Sequence, residues 1–582
     1  MRELSSLIPY LKRYIRVYLV GFGCVVGSNL LTTLAPRFLQ QGIDALTTAN
    51  PMPQVQRAAF WLVAAAVAGG VLRYGMRQLL NGVSRRVEYD LRNDLFHKLL
   101  SLPAAYYDKT PTGDLMARAT NDLLAVRMIA GPAVMYLLDT VTRAAIMVPA
   151  MLAVDRTLAG LALAPLVVLP VLEGILGRRI HTRTLAIQEH FGRLTDFVRQ
   201  NISAARIVRA YNQETPETDA FARLNEDYAA KNLHLAKAQA ALDPLLAFLG
   251  ALSSMMVLWA GGRLVIAGQV TTGEFVSFFV YLALLVWPLI FLGWVVNLVA
   301  RGTAALIRIN AVFREPNSLP DPAVPAVLPP GRPARSVRFD GVWFRYPEGP
   351  DRGYVLQDLT LEVPAGQSLG IVGATGSGKS ALADLLVRGY DPSRGAVLID
   401  GIDLRHLPLA EVRRQVGLVP QETFLFSETL KHNVLLGAPD DGRLARVADV
   451  SALAAAIGDL PKGFETILGE RGINLSGGQR QRAAIARALA QDPPIIVLDD
   501  ALSAVDSETE ARILDALRGA LVGKTSIVIS HRAAAVRTAD EIVVLDRGRV
   551  VERGRYEELL GRGGRFADLV RTQLLEAELE RM

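Results

Sequence analysis

Cysteine is all but missing from this sequence. Cys24 stands alone among 582 residues, inside an apolar run, so no disulfide can form within the chain. Charge is sparse too, at 21% of residues against 51% apolar ones. No small-residue cleavage site follows the basic Met1–Arg16 segment, so Val17 onward is expected to remain as a membrane span and not to leave as a signal peptide. The net charge of +6 does not point to nucleic acid, because a basic balance in a membrane protein reflects its cytoplasmic loops. The length exceeds one ordinary domain, and the apolar residues crowd into the first half, so at least two cores are expected.

What is present begins with long apolar runs. Crossing about 30 Å of hydrocarbon takes roughly 20 helical residues. Six stretches meet that length: Val17–Leu39, Ala58–Leu80, Met128–Val154, Leu158–Leu176, Pro244–Ile266 and Phe275–Ala300. The loops around Asn50, Asp155 and Gly268 are short and nearly free of Lys and Arg. The segments Asn81–Leu123 and Gly177–Asp243 are long, helical in pattern and rich in Arg. Basic loops stay inside, so the N-terminus, both long segments and everything after Arg301 are expected in the cytoplasm. A transmembrane domain is expected over 1–314, a Pro-rich linker over 315–335 and a second domain over 336–582.

Each long segment should run into the cytoplasm and turn back. The turns are placed at Tyr106–Asp122, interrupted by Pro111 and Gly113, and at Ile202–Glu217, ended by Pro216. They read either as solvated tips or as small helices that dock on a cytoplasmic domain. Ionisable groups within spans are costly. Asp139 and Arg143 lie four apart and could pair on one helix face, while Glu173 falls near the inner leaflet. The Met and aromatic residues of the last two spans (Met255, Met256, Trp259, Phe278, Phe279, Tyr281, Trp287, Trp294) line an adaptable cavity or simply pack, and they assign no substrate.

In the second half, short β-rich runs alternate with helical ones, as in an α/β domain. The strand-like SLGIVG flows into GATGSGKS, the phosphate-binding pattern G-x-x-x-x-G-K-[ST] between a strand and a helix. Gly373, Thr375, Gly376, Ser377, Gly378, Lys379, Ser380 and Ala381 form the expected binding set. Glycines let backbone amides curl around phosphates, Lys379 reaches the β and γ oxygens, and Ser380 offers its hydroxyl to Mg²⁺. About 120 residues on, IIVLDD supplies a second metal carboxylate, Asp499.

LSGGQ (Leu475–Gln479) followed by RQR narrows the field. With the apolar first half, it makes the whole chain resemble an ABC exporter half-transporter. That resemblance implies a membrane α-helical bundle of six transmembrane helices fused to an α/β P-loop ABC ATPase domain, with ATP and Mg²⁺ as cofactors. It further implies that Tyr346 stacks on adenine, that Gln421 senses Mg²⁺ and the membrane half, and that His531 contacts the γ-phosphate. Gly469–Gly472 is similar to the loop that meets the intracellular helices, Ser503–Asp506 to the D-loop, and TGDLMARATND to the first coupling region. Such domains work as head-to-tail dimers, so Ser476, Gly478 and Gln479 would serve a partner's ATP, while Lys379, Asp499, Asp500 and His531 act on this chain's own.

Asp500 stands where the family usually has glutamate to position the attacking water. Withdrawing a carboxylate by roughly 1 Å can cost about a hundredfold in rate. The loaned segment, in contrast, matches the family pattern in full. The chain therefore resembles the subunit with the non-consensus nucleotide site in a heterodimeric multidrug and peptide exporter of the bacterial plasma (inner) membrane. The expected partners are a second, non-identical half-transporter, the lipid bilayer, and a hydrophobic small-molecule, lipid or peptide substrate. A homodimeric lipid flippase or multidrug exporter, and an ATP-gated membrane module without efficient turnover, stay open. The tail RFADLVRTQLLEAELERM reads as an amphipathic helix that zips against the partner's tail or packs on its own domain.

Overall fold

The computed structural model describes residues 3–240, 242–347, 353–458, 460, 462–502 and 507–579. The chain divides into two units: Met1–Leu100 with Gly113–Glu315, and Ser101–Thr112 with Pro316–Met582.

The first unit is helical. Among the described residues, five helices are long and apolar enough to cross a membrane: Ile15–Ala45, Pro51–Ser101, Thr112–Val154, Ala247–Ile266 and Thr272–Arg314. The remaining expected span, Leu158–Leu176, falls on the 48-residue helix Arg156–Ser203. The side chains of 166, 167 and 169–174, Glu173 among them, lie outside the described residues. Large apolar groups such as Leu19, Trp61, Val71 and Trp259 face outward, as lipid-facing positions must. Helix starts are chosen locally. Asp155 accepts a bond from the Leu158 amide at 2.7 Å, and Thr271 and Glu274 form a reciprocal capping box.

The breaker residues are used differently from the sequence expectation. The first turn holds a short separate helix, Ala104–Lys109, and Pro111 then precedes a new helix starting at Thr112. Gly113 lies inside its first turn, so TGDLMARATND opens the third long helix and is not a loop. Pro216 likewise starts helix Glu214–Ala240, where it was expected to end one. Both follow from position: amides of a first turn have no intrahelical partner, so a missing donor or a flexible residue costs little there. The second turn does contain a short helix, Ala205–Ala210.

Helix Thr112–Val154 is interrupted by two wide π turns, Arg118–Asp122 and Ile129–Ala133, the second around Pro132. Asp122 is buried there and takes two bonds from the Arg308 guanidinium, Nε at 2.8 Å and Nη2 at 2.5 Å. Nearly two helical turns beyond the second π turn begins the polar cluster of this unit. Arg143 and Asp139 pair at 3.1 Å, and Asn29 donates to the Asp139 carbonyl at 3.2 Å and to the Thr142 hydroxyl at 2.8 Å.

The second unit holds two sheets. Strands β1 (Val337–Phe344), β2 (Leu356–Val363), β4 (Arg394–Ile399) and β5 (Ile402–Asp403) form an antiparallel sheet in the order β2-β1-β4-β5. Strands β3 (Ser368–Val372), β6 (Val416–Val419), β7 (Ile495–Asp499), β8 (Thr525–Ile529), β9 (Glu541–Asp546) and β10 (Arg549–Gly554) form the other, ordered β10-β9-β3-β8-β7-β6. Its inner pairs are parallel, and β7 is buried throughout, which is why it reads as an unbroken apolar run. The Pro-rich stretch has no regular structure between Glu315 and Arg335, yet it is no free tether. Leu319 and Leu328 are buried, and buried Arg335 bonds Asp400 at 2.8 Å, Gln415 at 2.6 Å and the Pro329 carbonyl at 2.8 Å.

The C-terminal helix Arg565–Leu579 packs on its own domain through Phe566, Ala567 and Val570. Phe566 is fully buried against the cluster of Val372, Val536, Ile542 and Val544. Replacing it leaves a cavity that cannot close, so Phe566→Ala should cost about 3 kcal/mol. Thermal unfolding should then show a midpoint lower by roughly 6–12 °C for a domain of this size.

Candidate active site

The phosphate loop hangs between β3 and helix Lys379–Leu386. Gly378, the residue before that helix, has φ +102°, and a Cβ there would stand 2.9 Å from the Val355 carbonyl, so only glycine fits. The Ser377 hydroxyl is buried without a partner, and the helix opens with free amides, two features suited to phosphate oxygens. Lys379 donates from Nζ to the carbonyls of Gly373 (2.8 Å) and Ala374 (3.0 Å). Burial lowers its ammonium pKa, and the charges of Asp500 and Asp499 act against that loss.

Asp499 ends β7 and is buried, with the Ser380 hydroxyl near enough to favour its ionised form. Burial pushes the Asp499 carboxyl up, reinforced by the neighbouring charges of Asp500 and Asp384. Asp500 turns away in the left-handed region, φ +48°, which Asp adopts more readily than most residues. Its amide bonds the Ile529 carbonyl at 2.9 Å. Its Oδ1 accepts from the backbone amide of His531 at 3.2 Å and faces His531 Nδ1 at 2.8 Å. A carboxylate only accepts, so Nδ1 carries the proton and Nε2 is left for another contact. The Asp500 side chain is 12% exposed, while His531 is 47% exposed.

Tyr346 joins this region through the helix behind the loop. Its hydroxyl donates to Asp384 at 2.8 Å, its ring meets Phe344 and Tyr390 edge-on, and burial raises its phenol pKa. Tyr390 in turn donates to Asp108 of the first short helix, which groups with this unit. Gln421 is exposed two residues beyond β6, whose Val419 pairs with Leu498 of β7. The structure thus brings together Lys379, Ser380, Asp499, Asp500 and His531. Ser476, Gly478 and Gln479 lie apart, at the exposed start of helix Gly477–Ala490. Ser476 accepts from the Gln479 amide at 3.2 Å, and Gln479 returns a bond to the Ser476 amide at 2.9 Å. That box stiffens the first turn, with Ser476 itself exposed. Ser503–Asp506 lies outside the described residues.

Two residues at this site carried no local signal. Buried Glu510 holds Arg532 at 2.6 Å, and Gln573, distant in sequence, bonds the backbone on both sides of Arg532.

Two family models match the chain, the ABC transporter transmembrane region over residues 18–289 and the ABC transporter domain over 356–503. The probable multidrug resistance ABC transporter ATP-binding/permease protein YheI of Bacillus subtilis is 36% identical, over 99% of this chain and 98% of its own length. The ATP-dependent lipid A-core flippase of Syntrophus aciditrophicus is 32% identical over 96% of this chain and 92% of its own. A bacterial Atm1-family ABC exporter with ATP bound matches in structure with TM-score 0.78 and 28% identity, over 97% of this chain and 98% of that one. The chain belongs to the ABC exporters, a membrane domain and an ABC ATPase domain in one polypeptide. It is an ATP-binding, ATP-hydrolysing transporter.

ABC ATPases normally use Mg²⁺, and the residues here fit it. Ser380 and Asp499 are hard oxygen donors set near each other, as a cation completed by phosphate oxygens and water requires. Because burial raises the Asp499 pKa, its ionised form destabilises the fold at neutral pH, and that cost fades as pH falls through the folded value. Asp499→Asn should therefore raise the thermal midpoint of the nucleotide-free protein at pH 7. The gain should shrink toward pH 4, while Mg²⁺-dependent ATP hydrolysis by this chain's own site is lost at every pH.

Proposed function

We propose that this chain is one half of a heterodimeric ABC exporter whose own ATP site is impaired and whose LSGGQ segment completes the partner's site. One observation carries the reading. The Asp500 carboxylate is tied to the amide and ring of His531, while the Ser476–Gln479 turn is intact and exposed. The short side chain spends its reach on the histidine, and in-line attack is sensitive to the placement of the water.

In this reading ATP lies with its adenine on Tyr346 and its phosphates in the Gly373–Ala381 loop. Thr375, Gly376 and Ser377 supply amides, and Lys379 spans the β and γ oxygens. Ser380, Asp499 and Gln421 would hold Mg²⁺, which when bound would supply electrostatic stabilisation of a phosphoryl group. Asp500 keeps the proton of His531 on Nδ1, and Nε2 faces the γ-phosphate. The short helices Ala104–Lys109 and Ala205–Ala210 carry closure of the nucleotide domains to the membrane helices, which alternate between inward and outward access. The Arg-rich turns, the N-terminus and the ATPase domain lie in the cytoplasm of a bacterial inner membrane.

The cargo is a hydrophobic drug, a lipid or a peptide. A cavity of about 150 Å³ in the first unit supports an amphiphile: Arg73, Arg77, Asp139 and Arg143 meet Tyr136, Trp287 and Phe291. A homodimeric flippase or multidrug exporter is the second reading, favoured by the kinds of relatives found and by the presence of His531.

ATP turnover by the purified chain, and by the complex it forms in its own membrane, separates these readings. The chain alone should be slow and the complex fast. Ser476→Arg should abolish turnover of the complex, and Asp500→Glu should raise that of the chain's own site by up to about a hundredfold. Full turnover by the chain alone would overturn the heterodimer.

A further inference from the structure

We propose that Gln573, on the C-terminal helix, is a positioning residue for His531. The inference rests on the reading in which His531 meets the γ-phosphate.

The backbone around His531 is held by a side chain that arrives from 42 residues downstream. Gln573 Nε2 donates to the His531 carbonyl at 2.6 Å, and Gln573 Oε1 accepts from the Ala533 amide at 3.0 Å. One planar amide thus satisfies an acceptor and a donor on either side of Arg532, fixing the chain direction there. Arg532 is anchored separately by buried Glu510 at 2.6 Å. On the opposite side Asp500 holds the imidazole. The ring is half exposed, so its place is set largely by these bonds to its backbone and its Nδ1.

The helix bearing Gln573 does not need that residue in order to dock. Phe566, Ala567 and Val570 are buried, and Glu552 accepts from the amides of Arg565 at 2.5 Å and Phe566 at 3.1 Å, fixing the helix start. Gln573 lies two turns further on, where the next residues, Leu574 and Leu575, are 61% and 55% exposed. The amide therefore adds little to the docking of the helix and much to the geometry of the switch. Docking carries the C-terminal helix to the active site, and Gln573 converts its position into a position for His531.

The test uses the full complex with Asp500→Glu in this chain, and Ser476→Arg to silence the partner's site, so that this chain's own site reports turnover. Gln573→Met keeps the length and apolar packing of the side chain and removes both bonds. It should lower kcat by roughly 3–10-fold, a part of what a 1 Å misplacement can cost, with KM for ATP nearly unchanged. The thermal midpoint should stay within a few degrees. In a His531→Ala background it should add nothing, as expected of two residues acting through one step. Gln573→Glu, which keeps the acceptor but turns an oxygen toward the His531 carbonyl, should fall at least as far. If His531→Ala is damaging and Gln573→Met is inert or simply additive with it, this proposal is overturned while the reading of His531 stands. If His531→Ala has no effect, both fall together.

Discussion

Three parallel strands end level with one another, and the chemistry of this chain hangs on that alignment. Ile371 of β3 and Asp499 of β7 both pair with Ile529 of β8. The chain leaves these strands as the phosphate loop, as Asp499–Asp500 and as Ser530–His531. No side chain has to reach far, because the backbone ladder has already delivered a lysine, two carboxylates and an imidazole to one edge. Ligand sites of open α/β sheets lie at such carboxyl ends for this reason. The ladder also explains the electrostatics. Burial works against the charge of Lys379, and the two neighbouring aspartates work to keep it.

The left-handed turn at Asp500 is where the site departs from its family pattern. An aspartate tolerates that backbone, and its carboxylate is just long enough to close a ring with the amide and imidazole of residue 531. A local hydrogen-bond preference and a shortened reach toward the phosphates are thus the same fact seen from two sides. The first is a gain in order for the histidine. In the heterodimer reading, the second is a loss of leverage on water.

Much of this was legible in the sequence, and for identifiable reasons. Gly373–Ser380 and Asp499 declare themselves because phosphate binding restricts backbone and side chain within a short window. Tyr346, Gln421 and His531 became visible only through resemblance, since a lone tyrosine, glutamine or histidine has no local grammar. Gly113 and Pro216 were misread as breaks because a breaker acts by flexibility or by removing a bonded donor, and a first turn has no intrahelical bond at its amides to lose. The stretch before β1 lacks periodicity and so read as a tether, but Arg335 ties it to Asp400 and Gln415 by bonds that no window of sequence can reveal. Gln573 was hidden in the same way, its two partners lying about 40 residues upstream.

The two π turns of the third long helix have a consequence of another kind. Each inserts one residue beyond the α repeat, and one residue is about 100° of rotation. They work as phase shifters within a single rod, letting its N-terminal end aim Asp122 at Arg308 while its far end aims Asp139 and Thr142 at Asn29. Deleting one residue from Ile129–Ala133 would straighten the hydrogen-bond ladder and leave each half of the helix intact. It would also swing the polar cluster around the rod by roughly a quarter turn, away from its partner. The faces of this helix are therefore keyed to each other by two residues that belong to neither.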